Sequence, residues 1–111
     1  MIIVDEANIA RNEPAPHGDL GMTTRFGLTD TVPNRRFDFR KRSLHKGSAL
    51  GLHHVEHDEV YYVVSGEGDV TSDGETRRLT PGMMAYLYKG ALISLTQVGE
   101  EPLVIILTYP L

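Results

Sequence analysis

The chain has 111 residues, 41% hydrophobic and 23% charged, with a formal net charge of -4. That length supports one compact domain with a single core, and the acidic balance argues against a nucleic-acid partner, which calls for a basic surplus. There is no cysteine, which excludes disulfides and thiolate chemistry and leaves nitrogen and oxygen as the only ligands for a metal. The opening MIIVDE lacks a basic stretch and a long apolar run. No signal peptide and no membrane span are therefore expected, and a cytoplasmic location is the default.

Residues 2–4 read as a short strand. Residues 8–19 carry Pro14, Pro16 and Gly18 and read as a loop or arm, with His17 as an exposed loop histidine. Residues 23–27 suggest a second strand, and residues 28–34, with Pro33, a turn region. From Arg36 the chain alternates. Phe37, Phe39, Lys41 and Ser43 share one face of a strand, and Asp38, Arg40, Arg42 and Leu44 share the other. The basic cluster Arg35, Arg36, Arg40, Lys41, Arg42 suits a solvated strand edge. If the Arg40 and Arg42 face turns inward, it suits a clamp for a carboxylate or phosphate.

The stretch GSALGLHHVEHDEVYYVVSG, residues 47–66, sets His53, His54, His57 and Glu59 ahead of an apolar β-prone run. Imidazoles and a carboxylate at the mouth of a strand are metal-ligand or acid–base material. Residues 60–64 are apolar on both faces, which predicts a strand covered on both sides. Beyond the break at residues 65–68, residues 70–71 form a short strand. Asp73-Gly74 between strand-like segments predicts a tight hairpin. Residues 76–80, 83–88, 91–98 and 103–109 complete the strands. The spacing gives roughly nine or ten short strands and no long amphipathic helix, an all-β sandwich or barrel, with closure into a barrel removing exposed edges.

The motifs resemble those of the cupin superfamily. Its first motif has Gly, five residues, His, one residue, His, three or four residues, Glu, six residues, Gly. Gly47, His53, Glu59 and Gly66 fall on that frame, with Val55 in place of the second histidine. In the second motif Gly82 and Gly90 hold the frame, while Tyr88, Ile93 and Gln97 stand for the family's proline, histidine and asparagine. The resemblance implies an antiparallel jelly-roll barrel, the double-stranded β-helix or cupin fold, of the small single-domain type. Residues 35–111 would form the barrel, and residues 1–34 the N-terminal strands and Pro-rich arm of the same domain. In the family, three histidines and the glutamate of the two motifs hold a divalent metal. This chain keeps His53 and Glu59.

Several roles follow as expectations. His53 and Glu59 point into the barrel as a catalytic acid–base pair. With His57 they would make a two-histidine, one-carboxylate set for Zn, Fe, Mn or Ni. Arg40, Arg42, Tyr61 and Tyr86 are the candidate substrate-binding residues. His54, Glu56 and Asp58 read as polar loop chemistry, and Met83 and Met84 as core packing. The favoured function is binding of a small molecule inside a barrel with a reduced metal site. The alternatives are a metal-dependent or acid–base isomerase, lyase or cyclase acting on a small polar or sugar-like metabolite, and an Fe(II) dioxygenase. By analogy with short cupins a homodimer is expected, with the Pro-rich arm crossing to the partner.

Overall fold

The computed structural model describes all residues, Met1–Leu111. Ten strands follow one turn of 3₁₀ helix at Glu6–Asn8: β1 Ala10–Pro14, β2 Met22–Phe26, β3 Phe37–Leu44, β4 Ala49–His54, β5 Glu59–Ser65, β6 Glu67–Ser72, β7 Glu75–Leu79, β8 Met84–Leu87, β9 Leu92–Val98 and β10 Leu103–Pro110. They form a six-stranded sheet, β1-β2-β3-β10-β5-β8, facing a four-stranded sheet, β4-β9-β6-β7. Every pairing is antiparallel. This is the all-β antiparallel jelly roll that the motifs imply. No helix is long and apolar enough to cross a membrane.

The alternation of β3 dictates which side chains face inward. Asp38, Arg42 and Leu44 are buried, whereas Phe37 and Phe39 are exposed. Register carries the same face across the large sheet. Arg40 lies opposite Leu107, which lies opposite Tyr61, and Arg42 lies opposite Ile105, which lies opposite Val63. Between the sheets Leu44, Leu50, Val63, Leu95, Leu103 and Ile105 pack with eight more buried apolar residues into one cluster. Burying each such side chain contributes about 1.5–3 kcal/mol. Asp73 and Gly74 close the β6–β7 hairpin with φ of 49° and 86°. Both are left-handed, as a two-residue turn that follows the strand twist requires.

Some expectations need correction at the N-terminus and on the outer face. Residues 2–4 form no strand; Ile2 and Ile3 are exposed. The arm contains β1, whose Ala10–Pro14 pairs with β2. Pro14, which lacks a donor, ends that strand on the sheet's outer edge, where no ladder bond is lost. β3 is no edge strand, since β2 and β10 flank it. Its cations are met by carboxylates: Lys41 by Glu6, Arg40 by Asp38 and Arg42 by Glu13. β5 is covered on its inner side only, with Tyr62 43% and Val64 46% exposed. Those two side chains face away from the small sheet and remain partly open to solvent. Met83 and Met84 are likewise exposed rather than core.

Candidate functional site at the barrel mouth

One end of the barrel is not filled by the core. A cavity of about 290 Å³ opens there, lined by residues from both sheets and from the 15–18 turn. From β3 come Arg40 and Arg42, from β5 Glu59 and Tyr61, from β4 His53, from the 55–58 turn His57, and from β10 Tyr109.

His53 reaches this cavity because β4 is bulged. Leu50 pairs with Leu95 and His53 with Ile93, so β4 spends three steps where β9 spends two. An extra residue reverses the alternation beyond it. Leu50 and His53, an odd number of positions apart, therefore share the inner side, while Leu52 is exposed. Gly51 in the bulge has a second role. A Cβ there would lie 1.6 Å from the His17 carbonyl oxygen, so only glycine lets the 15–18 turn seat against β4. That turn lays the His17 ring on the His53 ring, with centroids 3.6 Å apart and planes within 7°. His53 is further oriented through Nδ1, which lies 2.7 Å from the Gly51 carbonyl oxygen. An Nδ1–H donating there leaves Nε2 free toward the cavity.

Glu59 starts β5 and is 7% exposed. Burial pushes its carboxyl above the ordinary range, while the Tyr61 hydroxyl beside it and the Arg40 charge pull the other way. Tyr61 is 1% exposed, and burial together with the Glu59 carboxylate raises its phenol well above its usual value, so it stays a neutral donor. His57 Nε2 stands 3.8 Å from Glu59 Oε1, and its ring stacks on Tyr109 at 3.9 Å. The Tyr109 hydroxyl accepts a 2.8 Å bond from Arg40 Nη2, and Arg40 Nε donates at 2.6 Å to the buried Asp38. Partial desolvation of the His17 ring in its stack, then the neighbouring His53 and Arg42, lower the His17 pKa.

The site thus joins His53, His57, Glu59, Arg40, Arg42 and Tyr61. Tyr86 is a correction. It pairs with Val60, shares that residue's outward side, is 48% exposed, and donates its hydroxyl to Asp58 at 2.6 Å. His17 is the opposite correction: exposed as expected, but at the cavity and stacked on His53. Tyr109 was also missed. The signal for His17 would have been Gly51, whose missing side chain admits the turn. Tyr109 was legible only through its parity with Leu107 on the last strand.

A family model described as a cupin domain matches residues 42–109. The chain belongs to the cupin family. The L-ectoine synthase of Hyphomonas neptunium is 30% identical over 91 residues, 80% of this cupin and 66% of that enzyme. This chain thus spans about two thirds of that relative's length. A crystal structure from Thermus thermophilus is 27% identical over 99% of this chain and 98% of its own, with a TM-score of 0.74. A predicted oxalate decarboxylase from Thermotoga maritima superimposes at a TM-score of 0.86 over 99% of both chains, at 24% identity, which speaks for the fold alone.

Divalent metals are common in cupins, and the residues here can be tested against one. Where the family's motifs carry histidine, this cupin has Val55 and Ile93, 4% and 0% exposed and part of the apolar cluster. No three His, Asp or Glu side chains converge as ligands would. His57 approaches Glu59, but His53 is held flat against His17. The arrangement presents no complete ligand set for a divalent ion, and its side chains offer hydrogen bonding, charge pairing and proton transfer.

Proposed function

We propose that this cupin binds a small polar metabolite in the cavity at the barrel mouth, with a reduced metal site. A single observation carries the reading. A buried carboxylate, Glu59, faces a cavity that also presents Arg42 and the free edge of His53, while of the family's other two ligand positions Val55 is apolar wall and Ile93 is buried in the core. A concave pocket in which polar groups converge to fix a ligand's orientation is the usual form of a small-molecule site; here most of the lining is polar or charged, which favours a polar ligand.

A second reading, an acid–base enzyme, is favoured by Glu59 itself. A carboxyl raised by burial, next to a neutral phenol, holds its proton to a higher pH than an exposed one and is suited to giving and taking it back. The relationship to an L-ectoine synthase is compatible with a cyclase or lyase, but the apolar positions Val55 and Ile93 weigh against carrying that activity over. A dioxygenase would need an iron site of at least three protein ligands, and the side chains here supply none ready-made.

The test is a thermal-shift and calorimetric screen of the purified protein against small acids, polyols and sugars, with elemental analysis of the same sample. Binding lost in Glu59→Gln or His53→Ala, with unchanged circular dichroism, supports the cavity reading. Ligands that bind equally well to both variants would overturn it, and a stoichiometric, tightly held metal would overturn the reduced metal site.

A homodimer is part of the proposal. Phe39, Tyr62, Val64, Met84 and Tyr86 expose 36–54% of their surface. Phe39, Val60 and Tyr86 fall in line through Thr108, and Ile106, Tyr62 and Met84 form the next row. A contiguous apolar face of this kind is uncommon on a monomer. Light scattering that returns a monomer at micromolar concentration would refute it.

A further inference from the structure

Arg42 is the most deeply buried cation of the protein, 4% exposed. Its Nη1 is fully used, donating at 2.7 Å to Thr23 Oγ1 and at 3.1 Å to Glu13 Oε1. Its Nε and Nη2 donate to no protein atom. These two form the side-on edge of the guanidinium, the pair of parallel N–H groups that matches a carboxylate. No buried side-chain nitrogen or oxygen in the protein lacks a partner. The free edge therefore keeps contact with solvent, and at a residue this enclosed that solvent is the cavity it lines.

Resting on the binding reading above, we propose that the ligand is a small monocarboxylic acid whose carboxylate docks on the Nε–Nη2 edge of Arg42. Charge counting favours this over a phosphate. Arg40 is committed to Asp38 and Tyr109, Glu13 already shares Arg42, Glu59 adds a further acid, and no lysine lines the cavity. Arg42 thus offers the one open side-on fork, suited to one singly charged group, and a dianion would lie beside Glu59 with its second charge facing only Arg40, whose own charge is already shared with Asp38. Thr23 and Glu13 fix the guanidinium from behind. The fork is thus held in place before a ligand arrives, which cuts the ordering cost of binding. The remainder of the ligand would extend toward His53 Nε2 and Glu59, which supply hydrogen-bond partners for a hydroxyl.

The experiment titrates the full-length protein with acetate, glycolate and lactate, with the matching uncharged amides, with inorganic phosphate and with glycerol. The readout is the ring resonances of His17, His53 and His57. The expected result is a saturable shift from at least one carboxylate, with its amide binding at least tenfold more weakly and phosphate no more tightly. Arg42→Lys, which keeps the charge and removes the fork, loses tenfold or more, while the exposed control Arg77→Ala matches wild type. An amide that binds as well as its acid, or a tighter phosphate, overturns the carboxylate assignment. If glycerol or an amide then saturates the same rings, the cavity reading survives that failure; if no compound moves them, both fall. The acid–amide comparison is made on wild-type protein, so it stands even if Arg42→Lys does not fold.

Discussion

Two segments that meet in the same barrel have diverged in opposite directions. Apart from Val55, which joins the apolar cluster, the segment from β4 to β5 keeps the frame's polar residues turned inward, with His53 and Glu59 at the cavity and His57 at its rim. In the segment from β8 to β9, Ile93 is fully buried and Gln97 is 6% exposed. Ile93 packs in the core. Gln97 works at the other end of the barrel, where its Oε1 accepts from the Gly47 N–H at 2.8 Å and its Nε2 donates to the carbonyls of Gly99 and Glu101, both at 2.8 Å, and Val98 at 3.2 Å. The first segment presents chemistry and the second supplies packing and turn-locking. A family frame can therefore persist in its glycines while half of its ligand set becomes structural.

The sharpest way to break that comparison is to restore the missing half. Val55→His with Ile93→His places two imidazoles where the wild type buries apolar surface. Burying two polar groups without built partners should cost roughly 2–6 kcal/mol, seen as a large fall in urea midpoint. Zn(II) or Mn(II) should recover much of that loss, because with His53 and Glu59 the variant owns a full ligand set. Wild-type protein showing the same metal-induced rise would mean that the two halves do not differ in the way described. Next in size is Gln97→Ala. It strands the Gly47 N–H and unties the 97–101 turn, for a loss of about 2–4 kcal/mol with ligand binding at the far end unchanged. A loss below about 0.5 kcal/mol would show that Gln97 is not the lock.

The sheet topology was readable because its signals are local: the Asp73-Gly74 turn, the alternation along β3, the glycines of the two motifs. The site was readable in part. His53 and Glu59 sit on the family frame, and Arg40 and Arg42 share parity with Leu44, which is buried. What the sequence hid depends on contacts between distant segments. The β4 bulge is one extra residue in a pairing with β9 that no single stretch reveals. His17 becomes a wall of the cavity only because Gly51, far along the chain, leaves room for its backbone. Tyr86 failed for the converse reason: an aromatic beside turn residues looks equally suited to either face until its partner strand is known. The doubly apolar run of β5 suggests two covered sides, but within one chain its outer side stays partly open, with Tyr62 and Val64 about half exposed.

The smallest effect distinguishes Glu59 as an active part of the polar half from a leftover of the family frame. Its native pKa is raised above the ordinary 4.5, chiefly by burial, so the folded protein holds this proton more tightly than the unfolded chain does. The stability it contributes is fully present below 4.5 and is lost as pH rises through the folded value. Glu59→Gln has nothing to ionise. In metal-free protein it should match wild type near about pH 4 and melt above it near about pH 7, with the gap opening between the two values. The same variant should lose ligand binding, so stability and function would move in opposite directions, as expected where a strained group is retained for its chemistry. A wild type that gains on the variant as pH rises would instead mark Glu59 as a paired, ionised carboxylate. The polar half of the barrel would then be as structural as the half that carries Ile93 and Gln97.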